Sequence, residues 1–140
     1  RQRAGAPRPF RAARTGSGRD RRRAEAGGRR AEAIAAWFLR AKLYRVLATR
    51  YRTPLGEIDL IVRKGKVIAF VEVKHRLSER EGLEAVTMTA RRRIAGAAGL
   101  WLAAHPEAVH LDRRFDIVVT RPGRLPRHLV SAFDETGRSW

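Results

Sequence analysis

There is no cysteine in this chain, which excludes a disulfide scaffold and a thiolate metal site and suits a reducing compartment such as the cytoplasm. Long apolar runs are missing too. No stretch of about eighteen apolar residues occurs, so nothing reads as a membrane span and no membrane partner is expected. The Arg-rich N-terminus is followed by no apolar segment of the kind a secretory signal carries. There is no glycine-rich phosphate loop and no Ser/His/Asp arrangement. His75, His105, His110 and His128 show no ligand spacing and read as surface or core histidines. Acids are scarce, with 14 Asp and Glu against 31 Lys and Arg, a net charge of +17.

That imbalance is the loudest compositional feature. Residues 1–27 hold nine Arg and two acids, and so carry +7, which leaves +10 on residues 28–140. The excess is therefore spread beyond any tail. A domain this basic attracts polyanions, of which nucleic acid is the commonest. Nonspecific RNA association, or solubility alone, is the plainer alternative.

Residues 1–27 mix Arg, Ala, Gly and Pro without apolar periodicity and read as a disordered tail, with a single domain over residues 28–140. From Arg29 to Lys42, the residues Ala31, Ile34, Ala35 and Phe38 recur at helical spacing. Tyr44 to Tyr51 reads as a strand, and Thr53 to Gly56 as a turn. Two strands follow, Glu57–Arg63 and Lys66–His75, and Lys64-Gly65 between them predicts a tight hairpin. Residues 77–83 read as polar loop. A helix is predicted from Glu84 to Ala104, then strands over Phe115–Thr120 and His128–Phe133. The order αβββαββ gives an α/β domain with a mixed sheet. Trp37 and Trp101 lie on helical stripes and are expected in the core.

The chemistry concentrates in Gly56-Glu57-Ile58-Asp59-Leu60-Ile61 and Val71-Glu72-Val73-Lys74. Three acids and a lysine lie within the most hydrophobic part of the chain, where strands normally exclude them. With Lys64-Gly65 as the turn, Glu57 falls across from Glu72 and Asp59 across from Phe70. Alternation then puts Glu57, Asp59, Glu72 and Lys74 on one face. Asp59 and Glu72 become diagonal neighbours, about 7–8 Å apart between Cα atoms. Ile58, Leu60, Val62, Val67, Val71 and Val73 take the opposite, apolar face. Clustered carboxylates need a counter-ion, and an oxygen-only donor set favours Mg²⁺ or Mn²⁺. Lys74 would sit beside such an ion. The competing explanation is a salt-bridged strand face, with Glu72 bridged to Lys74 and Glu57 to an Arg.

Glu32 in Gly28-Arg29-Arg30-Ala31-Glu32, GEIDLI, VEVK followed by Arg76, Ala85-Val86-Thr87, and Arg114-Phe115-Asp116 together resemble the bacterial YraN family. That family is similar to the PD-(D/E)xK, restriction-endonuclease-like superfamily, and especially to archaeal Holliday-junction resolvases. The resemblance covers residues 28 to about 135. It implies an αβββαβ core with a central mixed sheet flanked by helices. It also implies metal-dependent hydrolysis of phosphodiester bonds in DNA, with branched or junction DNA among the expected substrates. Asp59 and Glu72 would be metal ligands, with the Val73 carbonyl as a third and Lys74 as the catalytic lysine. Glu32 would be the first-helix acid brought to the metal, although a first-turn acid is also favoured by the helix dipole alone. Glu57 would support the ligands, and Arg76 would grip phosphates. Arg91, Arg92 and Arg93, near a helix start, either grip phosphates as well or form a solvated helix face. A homodimer would match two-fold symmetric junctions. Three positions depart from the pattern: Ile58 replaces a proline, His75 a threonine, and Ala90 a lysine. A non-catalytic nucleic-acid-binding module on the same fold, and a charge-driven adaptor, are the rival functions. Asp116 reads as a pairing acid rather than a catalytic one.

Overall fold

A computed structural model describes residues 17–139. Residues 1–16 of the expected tail lie outside the described residues. Helix α1 runs over Ser17–Ala41, and so takes in the part of that tail from residue 17 onward. Arg, Ala and Glu are good helix formers, and no proline interrupts the stretch. The described side chains between Gly18 and Arg30 are all exposed, so propensity rather than burial makes this first part helical. From Ala31 the helix turns a row of small residues, Ala31, Ala35, Ala36 and Leu39, into the core. Trp37 lies off that row and is 73% exposed, and Ile34 is also exposed. The expected core positions of these two residues are thus corrected. The alanines let α1 lie close to the sheet, and the bulkier residues point outward.

Strands β1 (Arg45–Arg52), β2 (Glu57–Lys64) and β3 (Val67–His75) follow, then helices α2 (Glu79–Ala85) and α3 (Met88–Ala104), and strands β4 (Asp112–Arg121) and β5 (Arg124–Phe133). The predicted loop over 77–83 is in fact the start of α2. Ser78 caps it, its hydroxyl accepting the Glu81 N–H at 3.1 Å, while Glu81 reaches back to the Leu77 N–H. This is the S-x-x-E signal of a helix start. The predicted continuous helix breaks at Val86-Thr87, because Thr87 adopts extended backbone and caps α3 through the Ala90 N–H.

The five strands form one mixed sheet in chain order. Only β3 and β4 run parallel, and α2 and α3 supply the crossover between them. Helices cover both faces. Ala31, Ala35 and Leu39 pack on Leu60, Val62, Ala69, Val71, Val73 and Val118. Ile94, Ala97, Ala98 and Trp101 pack on Ile58, Ile61, Ile68, Phe70, Ile117 and Val119. Trp101 is in the core, as expected. The result is an α/β architecture whose hairpin β2–β3 lies inside the sheet. Among the described residues, no helix is long and apolar enough to cross a membrane.

Two details of that hairpin differ from expectation. Lys64 pairs with Val67, so the turn residues are Gly65-Lys66 rather than Lys64-Gly65. Gly65 takes φ +59 in the first central position, where a type II′ turn calls for glycine. The displacement is even, so no side chain changes face, but the residue across from Glu72 becomes Asp59 instead of Glu57. Ile58 also departs from the expected apolar face, for it packs on the α3 side while Leu60 packs on the α1 side. Strand alternation therefore breaks at Asp59, between them.

Candidate active site

The break has a visible cause. The β2–β3 ladder runs from Lys64–Val67 to Leu60–Val71, and beyond it the Asp59 carboxylate takes over, its Oδ2 accepting the Val73 N–H at 2.8 Å. The strands part here, and their opening faces α1. Asp59, Glu72, Val73, Lys74, His75 and Arg76 line a cleft of about 420 Å³, closed on the other side by Gly27, Gly28, Ala31 and Glu32. The two glycines leave that stretch of the helix wall without side chains. A residue's N–H and C=O leave a strand on the same side, so the Val73 carbonyl projects toward Asp59 as well.

Asp59 and Glu72 are within hydrogen-bonding reach of each other and largely buried. Burial raises the Asp59 carboxyl to about 6; the charge of Glu32 adds to this, while the Val73 N–H and Lys74 oppose it. Burial and then the charge of Asp59 push Glu72 up to about 8, against the pull of Lys74. Near neutral pH the pair therefore retains a proton. Lys74 Nζ lies 3.3 Å from Glu72 Oε1. The bridges of the competing explanation both exist, since Arg52 also meets Glu57 at 3.6 Å. They do not account for Asp59, whose nearest charged neighbours include two acids.

The remaining expected site residues separate into groups. Glu32 borders the cleft, but its Oε2 accepts a hydrogen bond from Arg50 Nε at 2.7 Å. Among the described residues, no three acidic, His or Cys side chains converge into a metal cage. Glu57 lies at the cleft mouth between two side cavities, one shared with Arg50 and Arg52, the other with Glu72, Thr87 and Arg93. Gly56 lets β2 begin there, since a Cβ would stand 2.5 Å from the Arg93 carbonyl oxygen of α3. Arg76 is exposed on the cleft rim. Arg92 and Arg93 are exposed on α3. Arg91 is engaged inside the protein: it donates to the carbonyls of Val86 and Gly137 and to Ser139 Oγ, and it lies over the Phe133 ring. It is a clasp on the C-terminal turn rather than a free phosphate grip. Three histidines with polar partners play structural parts: His75 with Thr120, His105 with the Trp101 carbonyl and ring, and His128 with Asp116. Arg50 was not foreseen, and nothing in its type or spacing marks it.

Comparison with known sequences places the chain. A UPF0102 protein from Rhizobium johnstonii is 51% identical over 113 residues, 81% of this chain and 93% of its own length. Another, from Bradyrhizobium sp., is 52% identical over 131 residues, 94% of this chain and 90% of its own. The model of Uncharacterised protein family UPF0102 matches residues 31–120, a span that includes Glu32, Asp59, Glu72 and Lys74. With matches of that extent on both counts, the chain belongs to the UPF0102 family, the one its motifs resemble.

Proposed function

We propose that this UPF0102 member is a divalent-cation-dependent nuclease on a restriction-endonuclease-like core, hydrolysing phosphodiester bonds in DNA, with branched or junction DNA as its substrate class. One observation carries the reading. The carboxyl groups of Asp59 and Glu72 lie side by side, half-buried, in a cleft that also holds Lys74 and Arg76, and each is raised by burial and by an acidic neighbour. An architectural pair would be matched by cations of its own, and among the described residues this one has a single bridging ammonium and one backbone N–H.

The donor set fits Mg²⁺ or Mn²⁺, with Asp59, Glu72 and the Val73 carbonyl as hard oxygen ligands. When bound, such an ion polarises the scissile phosphate and lowers the pKa of a water molecule. The chain's own residues do the rest. The Val73 N–H fixes the Asp59 carboxylate in place. Lys74, anchored on Glu72, holds an ammonium where negative charge develops on the phosphate oxygens. Arg76 and the general basic excess hold the backbone of the nucleic acid, without reading its sequence. A two-fold dimer would offer two such clefts to a symmetric junction.

The test is a cleavage panel of junction, flap, linear duplex and RNA substrates in EDTA, Mg²⁺ and Mn²⁺. Cutting that requires the cation and is lost in Asp59→Asn supports the reading. Tight, salt-sensitive binding with no cutting under any condition overturns it in favour of a binding module.

A further inference from the structure

Regular strand geometry does not account for Arg50. Its φ is +49, in the left-handed region that side chains other than glycine enter at a cost and that persists where surrounding structure enforces it. The β1–β2 pairs step from Thr49–Leu60 to Tyr51–Ile58, so Arg50 stands in register with Asp59 at the place where the sheet opens. Its guanidinium reaches Glu32 on α1, Nε donating to Oε2 at 2.7 Å, and both side chains are partly buried. Among the described residues, neither of its Nη groups has a hydrogen-bond partner. Glu32 holds the guanidinium charged, first through this bond and then through its own charge, and Glu57 and Asp59 add to it.

The placement is as informative as the bond. Arg50 lines a cavity of about 250 Å³ with Gly28, Arg29, Glu32, Arg52 and Glu57. That cavity shares Gly28 and Glu32 with the cleft of Asp59 and Glu72. Glu32 is thus the acid bordering both spaces, and Arg50, which holds it, lines the smaller one. Arg29, Arg50 and Arg52 around the smaller space outnumber its two acids, Glu32 and Glu57, and leave it a positive excess toward phosphate.

We propose that Arg50 is a clasp on Glu32 operated by nucleic acid. In the free protein it holds Glu32 and balances the acids around it. When a backbone phosphate enters the Arg29–Arg50–Arg52 cavity, the guanidinium turns to the phosphate and releases Glu32 toward Asp59 and Glu72, completing a three-carboxylate cation site. Arg50 is a positioning residue that acts through Glu32. The inference rests on the cation-dependent reading above and adds coupling to it. Cation and nucleic acid must then raise each other's affinity by the same factor, since linkage is reciprocal.

The experiment uses the full chain carrying Lys74→Met, so that DNA stays largely intact during the measurement, with Mn²⁺ as the probe cation and a four-way DNA junction as the polyanion. Mn²⁺ affinity is measured by electron paramagnetic resonance with and without the junction. With Arg50 present, the junction should tighten Mn²⁺ by about tenfold. In Arg50→Gln, Mn²⁺ should bind about tenfold tighter without DNA, the junction should add little, and the log–log salt slope for DNA binding should shrink by about one. Arg50→Lys should restore that slope. Glu32→Gln, which leaves Arg50 in place, should remove the tightening while keeping the slope, and serves if Arg50→Gln fails to fold. An unchanged tightening factor in both Arg50→Gln and Glu32→Gln would assign the coupling to phosphate oxygens and overturn the clasp. Mn²⁺ and junction binding without mutual tightening would overturn the clasp and leave the nuclease reading standing. An absence of Mn²⁺ binding in both states would overturn both.

Discussion

A fully buried acid and a half-buried pair of acids lie in neighbouring strands of one sheet, and the protein treats them in opposite ways. Asp116 on β4 stands across from Val71, one residue from Glu72, and is fully buried. It accepts bonds from Arg114 at both oxygens, from His128 Nε2 at 2.7 Å and from the Ser131 N–H at 2.9 Å. Arg114 continues to the Tyr44 hydroxyl, and His128 Nδ1 meets Lys42. Because His128 donates through Nε2, its Nδ1 accepts from the lysine, which describes a neutral ring. Burial pushes Asp116 upward, but His128, Arg114 and Ser131 together hold its carboxyl below the usual range. Asp59 and Glu72, half-buried at the cleft, face each other and are raised. Burial of an acid therefore says little about function. The supply of internal partners distinguishes the two: Asp116 has three donors within the protein, whereas among the described residues Asp59 and Glu72 have the Val73 N–H and Lys74.

The contrast can be pressed hardest through catalysis. Lys74→Met keeps the stem and removes the ammonium, and should lower single-turnover cleavage by about 10²–10³-fold while nucleic-acid affinity barely moves. Asp116→Asn should leave the rate per folded molecule nearly intact. If Asp116→Asn stops cleavage in a fully folded sample, the division between the two sets is wrong. If Lys74→Met loses affinity and rate equally, Lys74 is a phosphate anchor.

Stability should reverse that ranking. Asp116→Ala strands Arg114 and the Ser131 N–H, and is expected to cost about 3–5 kcal/mol in urea unfolding, the range for breaking a buried pair. Glu72→Gln removes a like-charge neighbour and should stabilise the cation-free protein at pH 8 by about 1–3 kcal/mol. A loss of stability in Glu72→Gln under those conditions would mean that Lys74 already satisfies the site.

A gentler probe is pH. The native Asp59–Glu72 pair binds more protons than the unfolded chain between the ordinary carboxylate range and about pH 8. Its contribution to stability therefore declines as pH rises through that window. Asp116, lowered in the fold, gives the opposite slope: its contribution is present above the ordinary carboxylate pKa and is lost as pH falls below it. Melting temperatures from pH 3 to 9 in EDTA should show both arms, and Mg²⁺ should flatten the alkaline one alone. An alkaline arm that ignores Mg²⁺ would detach it from the pair.

Much of this arrangement was legible because strand parity tolerates error. Moving the turn from Lys64-Gly65 to Gly65-Lys66 was an even shift, so Asp59, Glu72 and Lys74 still met in one cleft, although the break in alternation at Asp59 turned Ile58 to the other face. The order of elements was also readable, since apolar runs and turn residues mark it. Features set by tertiary packing were not. The alanine row of α1 was chosen by its closeness to the sheet, which put Trp37 outside. The opening of the ladder depends on a side chain replacing a backbone partner, and the engagement of Arg91 depends on a C-terminal turn far along the chain. The cap at Ser78, by contrast, was present in the sequence as Ser-x-x-Glu and was passed over.

The tight hairpin has a kinetic consequence. The bond from Val73 to Asp59 spans 14 residues, whereas those from Arg114 to Tyr44 and from Lys42 to His128 span 70 and 86. Local contacts can form before distant ones, because they close shorter loops. The two like charges are then brought together early, on the way up the folding barrier, and the Asp116 network closes late. The repulsion should consequently slow refolding, while the network should chiefly restrain unfolding. In stopped-flow experiments without divalent cations, raising pH from 6 to 8 should depress the refolding limb more than it lifts the unfolding limb, and the reverse partition would place the hairpin after the barrier.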